Sequence, residues 1–383
     1  VTNAHSRATL QIVRSLGSRK IPVYTGEKTK TTPTKFSRYL SGYTLYPDPA
    51  QKPKEFVRFI NDYCLKNNID IIFPVVDDAL LPIAKFKHLF DKSIKIPISD
   101  YNSIVVGRDK QKTIEQCEKL NIPIPKTMFK DEITLSEIKD GFKLPVLIKP
   151  RESEGSRGIK VIRDWNDLLP EFEKVKKVYG TPMVQEFIPH GGAYGVEVLY
   201  NKGKMLIKFT HKRLREYPEG GGPSTLRMST ENEEMEEYAE KLMNSLSWHG
   251  VAMVEFRVSS EDNVPYLVEI NPRYWGSLRL SIVSGLDFPY NHYLMTIGKN
   301  LEYKGKYNLN IQARWMLFGD ILWFYTSKEK DKFKKFFKLI GKDLYYDIIT
   351  KNDPLPAVGS FLEGIEIYTD PERKTASMDR GLE

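Results

Sequence analysis

Two cysteines in 383 residues, Cys64 and Cys117, are too few for a disulfide scaffold and stand in no metal-ligand spacing. Each falls in a helix-like stretch, so reduced, structural thiols in a cytoplasm are expected. No apolar run reaches the length that spans a bilayer. The opening residues, VTNAHSRATL, carry no signal-peptide pattern. No membrane partner is expected. The same opening lacks an initiator Met and begins inside a strand-like stretch, which predicts a few further residues upstream. Phosphate-binding fingerprints are missing too: the turn Asn3-Ala4-His5-Ser6-Arg7 is no GxGxxG, and no Walker loop with Gly-Lys-Ser/Thr occurs. Internal repeats and legible RNA or DNA modules are absent.

Positive charge is in modest excess, with 58 Lys and Arg against 50 Asp and Glu, a net +8. The lysines are scattered through amphipathic helices, so nucleic acid is not the expected partner. The densest run, 328–338, alternates with Phe333, Phe336 and Phe337. That spacing predicts an amphipathic helix with a solvated basic face. A basic protein also attracts anionic small substrates such as nucleotides.

Hydrophobic content of 40% and charged content of 28% fit a globular chain long enough for two or three subdomains. Helix-like stretches 8–16 (closed by Gly17), 54–67 and 79–86 alternate with strand-like stretches 1–3, 21–24, 69–76 and 95–97. This β-α-β rhythm predicts a parallel, doubly wound α/β domain. Asp77-Asp78 follows a strand end, where such sheets bind ligands, although helix capping accounts for them equally well. A boundary falls near 101–106. Domains are expected at 1–104, 105–185, 186–300 and 301–369, with a disordered polar tail at 370–383.

The strongest chemical signal is a pair of apolar strands, GVAMVEFRV (250–258) and VPYLVEINPR (264–273), each carrying one carboxylate. A three-residue turn at 261–263 would set Glu255 directly opposite Glu269. Like charges facing each other across a ladder destabilise it, and burial adds to the cost. A divalent cation between them removes the conflict. Asn271 lies on the same strand face as Glu269. Glu, Glu and Asn offer only hard oxygen ligands, which suits Mg2+ carrying nucleotide phosphates. Arg273 shares that face and could hold an anion.

Upstream, Lys149 ends the apolar strand 145–149 and is followed by a loop rich in Gly, Ser and Arg (151–160). Its stem is buried, so its head must find an anion. The loop can bring N–H groups to phosphates. Gln185–Ile188 ends another strand with an acid and two apolar residues, fit for an adenine edge. Glu197 is a further acid on an apolar strand, able to hold a ribose hydroxyl or orient the metal site. Residues 211–227 read as a long, basic, glycine-rich loop, a lid or substrate loop with Lys212, Arg213 and Arg215 as candidates.

In this order the elements resemble the ATP-grasp superfamily from about 105 to 294, with a preceding α/β domain. Within it they look like the carbamoyl-phosphate-synthetase and biotin-carboxylase branch of carboxylate–amine ligases. The hairpin VEF…VEINPR is the most specific part, and the VLIKP lysine with its loop is next. The resemblance implies ATP and Mg2+ (or Mn2+) as cofactors. Lys110 and Lys149 would contact phosphates. Ser153, Gly155, Ser156 and Gly158 would belong to a mobile loop over them. Gln185, Glu186, Phe187 and Ile188 would form the adenine hinge, Glu255, Glu269 and Asn271 would ligate metal, and Arg273 would steady the transferred phosphate. It further implies a homodimer and small-molecule carboxylate and amine substrates. No amidotransferase nucleophile, second core copy or biotin-acceptor motif is present, so carbamoyl phosphate synthesis proper is not expected. A non-catalytic ATP-binding module is the rival reading, and the intact Glu-x-Asn-x-Arg argues against it.

Overall fold

The structure is a computed structural model that describes residues 1–153, 155–303 and 305–370. The expected tail therefore lies, apart from Asp370, outside the described residues. Residues 1–3, expected as a strand, form none, and the chain turns through Asn3 (φ 57°) into α1 (Arg7–Ser18). Ser6 caps the helix, its Oγ accepting from Ala8 N at 3.2 Å, which satisfies one N–H that a helix start leaves open. The helix does not stop at Gly17 as expected. Gly17 is needed there for packing, because a Cβ would lie 2.4 Å from the Tyr39 carbonyl oxygen.

Strands β1 (Tyr24–Glu27) and β2 (Gly42–Leu45) pair in parallel. Ala4 N donates to Gly26 O (3.1 Å) and Thr2 N to Phe73 O (3.2 Å), setting residues 1–4 between β1 and the segment around Phe73. Ile71 bridges Lys95, also in parallel. The expected strands at 69–76 and 95–97 form this one bridge and no ladder, since Pro74 and Pro97 have no N–H to donate. Helices α2 (Pro53–Lys66) and α3 (Asp77–Lys85) pack on these segments through Phe56, Ile60, Ile72, Ile83 and Ile96. Where the sequence suggested a boundary, α4 (Tyr101–Arg108) runs without a linker into α5 (Lys110–Lys119), with Asp109 capping the second helix.

Next come β3 (Thr127–Phe129), α6 (Leu135–Gly141), β4 (Val146–Pro150), β5 (Lys160–Ile162), α7 (Trp165–Tyr179) and β6 (Pro182–Glu186). The four strands form an antiparallel sheet ordered β3-β6-β4-β5. It packs on α6 and α7 through Ile138, Val146, Ile148, Leu168 and Phe172. The remaining strands are β7 (His190–Asn201), β8 (Lys204–Glu216), β9 (Ser224–Thr230), β10 (Gly250–Ser259), β11 (Pro265–Asn271), β12 (Gln312–Arg314) and β13 (Leu344–Tyr346). They form a seven-stranded sheet ordered β11-β10-β7-β8-β9-β12-β13, antiparallel except for β12 with β13. Strand alternation divides its side chains. Val196, Val198, Ala252 and Val254 pack on α8 (Glu233–Ser245), whereas Leu199, Phe209, Val251 and Met253 face α1, α9 (Leu278–Val283) and α10 (Phe288–Thr296).

The region beyond residue 300, opaque in sequence, is pinned by buried ion pairs. Asp347 binds Arg227 of β9 and, at 2.7 Å, Arg7 of α1. Asp320 binds Arg314 and, at 2.9 Å, Arg215. Such charges persist in a core only when paired. The basic amphipathic helix expected over 328–338 is shorter, α12 (Lys332–Phe337), and none of its residues is buried. It lies between α11 (Ile321–Thr326) and β13, and α13 (Leu355–Thr369) follows.

Candidate nucleotide and metal site

Glu255 and Glu269 are register partners on β10 and β11, as the sequence suggested. The turn that puts them there differs from expectation. Ser259 N donates to Val264 O at 3.1 Å, leaving four residues, 260–263, in the loop. Asn263 takes the left-handed conformation (φ 59°). A bulge between Glu255 and Phe256 then adds one residue on β11 and restores the opposition. The pairing thus depends on two irregularities that cancel.

Burial pushes the Glu255 carboxyl up, and the Glu269 charge pushes it further against the pull of Arg213. Burial also acts to raise Glu269, but Lys110 and Lys149 outweigh it and hold that carboxyl below the usual range. Asn271 Nδ2 donates to Glu255 at 3.0 Å and reaches Glu269 at 3.4 Å. Among the described residues no group of three or more His, Cys, Asp or Glu side chains is gathered for a metal. The set remains two facing carboxylates and an amide, all able to present oxygen. These residues fit a hard divalent cation.

Two lysines converge on this pair from other elements. Lys110, first residue of α5, places Nζ 3.3 Å from Glu269 Oε2 and donates to the Ser153 carbonyl at 3.2 Å. Lys149 Nζ donates to Gln185 Oε1 at 2.7 Å. Burial brings the Lys149 ammonium down to about 7, with Lys110 adding to the effect. Both lysines are buried, and while Lys110 pairs with Glu269, Lys149 bonds to a neutral amide, a state that invites an anion. They line a cleft of about 580 Å3 together with Ser153, Gly155, Ser156, Phe187 and Ile188. Gly155 (φ 60°), Ser156 (φ 67°) and Gly158 (φ 70°) put left-handed residues in the segment that follows β4. A Cβ on Gly158 would lie 2.6 Å from the Tyr179 ring and 2.8 Å from Pro150. Leu147, Val161, Phe256 and Val268 supply an apolar slot beside Glu186–Ile188. Gln185 also lines the cleft, its Oε1 accepting from Lys149 and its Nε2 donating to Thr127 Oγ1 at 2.9 Å.

Several expected site residues lie elsewhere. The stretch 211–227 is no long loop: β8 runs through Glu216 and β9 starts at Ser224, leaving only the turn 217–223. Alternation along β8 turns His211 and Arg213 into the cleft and Lys212 onto the opposite face, where its Nζ sits 5.4 Å from the Tyr194 ring. Lys212 is therefore not a site residue. Arg213 binds Glu255, and Arg215 is committed to Asp320 and the Lys335 carbonyl. Glu197 does not line the cleft either. It is 1% exposed, with Oε1 2.6 Å from His211 Nδ1, and burial raises its carboxyl above the usual range. It supports His211 from beneath and is out of reach of a ribose. Arg273 reaches the cleft while its Nε binds Asp77 at 2.9 Å, and Arg108 binds the same Asp77 at 2.8 Å. Asp77 thus orients two arginines, and Asp78 accepts from Asn3 Nδ2 at 2.8 Å.

Sequence reasoning missed the far end of the cleft, formed by His5, Ser6 and Arg7 with Trp275, Gly276, Ser277 and Trp315. The Arg7 guanidinium stacks 3.8 Å over Trp315. Gly276 leaves room for it, since a Cβ would lie 2.8 Å from Arg7 NH2. The first strand-to-helix turn and the Tyr-Trp-Gly-Ser run after Arg273 were the available signals.

Residues 107–277 match the family described as the ATP-grasp domain. A carbamoyl-phosphate synthase of Methanobrevibacter smithii is 23% identical over 57% of this chain and 60% of its own length, so the chain spans less than two thirds of that relative. Among solved structures, the biotin carboxylase domain dimer of the Hydrogenobacter thermophilus 2-oxoglutarate carboxylase, in complex with MgADP, ADP and bicarbonate, superposes with a TM-score of 0.66. It shares 15% identity over 81% of this chain and 72% of that one. The L-amino acid ligase of Bacillus licheniformis gives 0.63, with 16% identity over 81% and 79%. At these identities the superpositions establish the fold.

Proposed function

The chain carries an ATP-grasp domain over residues 107–277, and on that premise we propose that it is an ADP-forming ligase that joins a carboxylate to an amine. The observation that carries this reading is the convergence of Lys110 and Lys149 on the facing pair Glu255 and Glu269 in one cleft. The segments before α4 and after α10 are read as accessory parts that complete the far end of the cleft. The protein is read as cytoplasmic; among the described residues no helix is long and apolar enough to cross a membrane. The biotin carboxylase neighbour is a dimer, which supports a homodimer here.

In this reading Phe187 and Ile188 sandwich the adenine, and Lys149 and the 153–158 loop hold the phosphates. Glu255, Glu269 and Asn271 would hold Mg2+, which offsets charge on the β- and γ-phosphates; Mn2+ would fit the same ligands. A substrate carboxylate lies at the His5–Arg7 end, and one of its oxygens attacks the γ-phosphorus as the bond to ADP breaks. Lys110 and Arg273 stabilise the charge spread over the transferred group. Amine nitrogen then attacks the acyl carbon, phosphate leaves, and the amine loses a proton. No side-chain nucleophile is needed. Cys64 and Cys117 are buried, with thiols pushed up to about 11 and about 12.

The test is ADP release from Mg-ATP with pooled carboxylates and pooled amines, alongside Glu269→Gln. Release that needs both pools and falls on the order of a hundredfold or more in the variant supports the ligase. Mg-ATP binding without stimulated release from broad pools moves the assignment to a non-catalytic nucleotide module. Absence of Mg-ATP binding refutes the site.

A further inference from the structure

Residues 328–342 have no place in the cleft, and their composition is unusual. Seven lysines (328, 330, 332, 334, 335, 338 and 342) stand against two acids, Glu329 and Asp331, a net +5. Both acids are taken by Lys335. Among the described residues, Lys328, Lys330, Lys334, Lys338 and Lys342 have no carboxylate within ion-pair distance. Interleaved with them, Phe333 and Phe337 are each 61% exposed and Ile340 is 91% exposed. Phe333 and Phe337 lie one helical turn apart and so share a side of α12. Tyr325 extends the apolar surface, and Phe324 binds it together, its ring 5.0 Å from Phe333 and 4.6 Å from Phe336.

This is no frayed end. Buried Arg314 donates to the Phe336 carbonyl at 2.8 Å and the Lys338 carbonyl at 3.2 Å, and Arg215 donates to the Lys335 carbonyl at 2.9 Å. Asp320 pairs with both guanidinium groups. Tyr346 OH holds the Leu339 carbonyl at 2.5 Å. The backbone is fastened to the core while its apolar side chains stand in water, each at the cost of exposed hydrocarbon.

We propose that this face docks the enzyme on an anionic lipid surface. Aromatic and aliphatic side chains among unpaired lysines match an interface in which rings sit at headgroup depth and ammonium groups meet lipid phosphates. A second copy of the chain fits less well, because a symmetric contact would set this basic patch against itself. The surface is independent of the ligase reading and stands or falls without it.

The experiment is co-sedimentation of the full chain with phosphatidylcholine vesicles and with vesicles containing phosphatidylglycerol. Binding to the anionic vesicles alone, weakened by salt, is expected. Lys334→Glu and Lys338→Glu should each lower it about five-fold or more. Ile340→Asp should abolish it without shifting Tm, since that side chain touches little of the fold. Equal binding by Ile340→Asp, or no binding to anionic vesicles, overturns the proposal. So does concentration-dependent self-association that Ile340→Asp removes, which would assign the face to a dimer. Retention by RNA that matches the vesicle affinity and is indifferent to Ile340→Asp would assign it to nucleic acid.

Discussion

Ser156 and Gly221 meet over the cleft: the serine Oγ donates to the glycine carbonyl across 65 residues of chain. Two glycine-rich turns, one expected to bind phosphates and the other thought to be a long lid, therefore close on each other. Arg257 NH2 adds a bond to the Gly220 carbonyl at 3.1 Å. The mouth of the site is a joint between the four-stranded and seven-stranded sheets.

Gly158→Ala should damage this joint at its root. The new methyl would need a φ of 70° and would press on Tyr179 and Pro150, and the strain costs on the order of 1–2 kcal/mol. A modest fall in Tm from that strain and a fall in Mg-ATP affinity of about tenfold or more are expected. Calorimetric titration would check it, and an unchanged affinity would remove the loop from the site.

Lys149 provides a pH test. With its ammonium near 7 in the folded protein and about 10.4 in the unfolded chain, the unfolded state binds more protons between those values. Stability should rise with pH across that window. Bound phosphates would favour the charged form, so ATP binding near pH 7–8 should take up protons. Lys149→Met should stabilise the empty protein at pH 7, abolish that uptake and lose nucleotide binding. Titration in buffers of different ionisation enthalpy measures the uptake directly.

Adjacent residues on β8 should behave oppositely. Arg213 binds Glu255 inside the cleft, and Lys212 lies on the far face. Arg213→Met should lower kcat/KM on the order of a hundredfold, because it leaves Glu255 without its cation. Lys212→Met should change it less than about two-fold, as expected for a surface substitution away from the chemistry. Equal effects would contradict the strand assignment through Glu216.

His292 should set the acid limit of stability. Its Nδ1 lies 2.8 Å from the Tyr274 hydroxyl and its Nε2 3.0 Å from the Pro97 carbonyl, and burial lowers it to about 3. Nε2–H donates to Pro97 and Nδ1 accepts from Tyr274, so the ring is held neutral. Below about pH 6.5 the unfolded chain takes a proton that the folded one refuses, and stability falls with pH until about 3. His292→Gln should be less stable at pH 8 but should lose less between pH 7 and pH 5. Urea midpoints at the three pH values would show it.

The parts of the site legible in sequence are those that local chemistry dictates. Carboxylates on apolar strands, a lysine ending a buried strand and glycines beside it have few explanations other than a charged ligand. Glu255, Glu269, Asn271 and Lys149 were singled out for that reason and Lys110 through the family resemblance, and the fold brings all five to one cleft. Lys212 was misread because a basic, glycine-containing stretch looks like a loop until β7 and β9 pair with it. Glu197 looked like a ligand because its partner His211 lies on the next strand, in a register that the sequence does not state.

Sequence by itself determined the α/β class and the carboxylate hairpin, since hydrophobic period and turn chemistry act over a few residues, whereas of the β-α-β rhythm expected at the start only the parallel pair β1-β2 and one bridge formed. Tertiary structure alone decided the rest. It brought the His5–Arg7 turn to Trp315 and set Asp347 between Arg7 and Arg227. It cancelled a four-residue turn with a bulge so that Glu255 meets Glu269. It also kept Phe333, Phe337 and Ile340 in water. Each of these depends on contacts between residues far apart in the chain, whose free energy no local pattern carries.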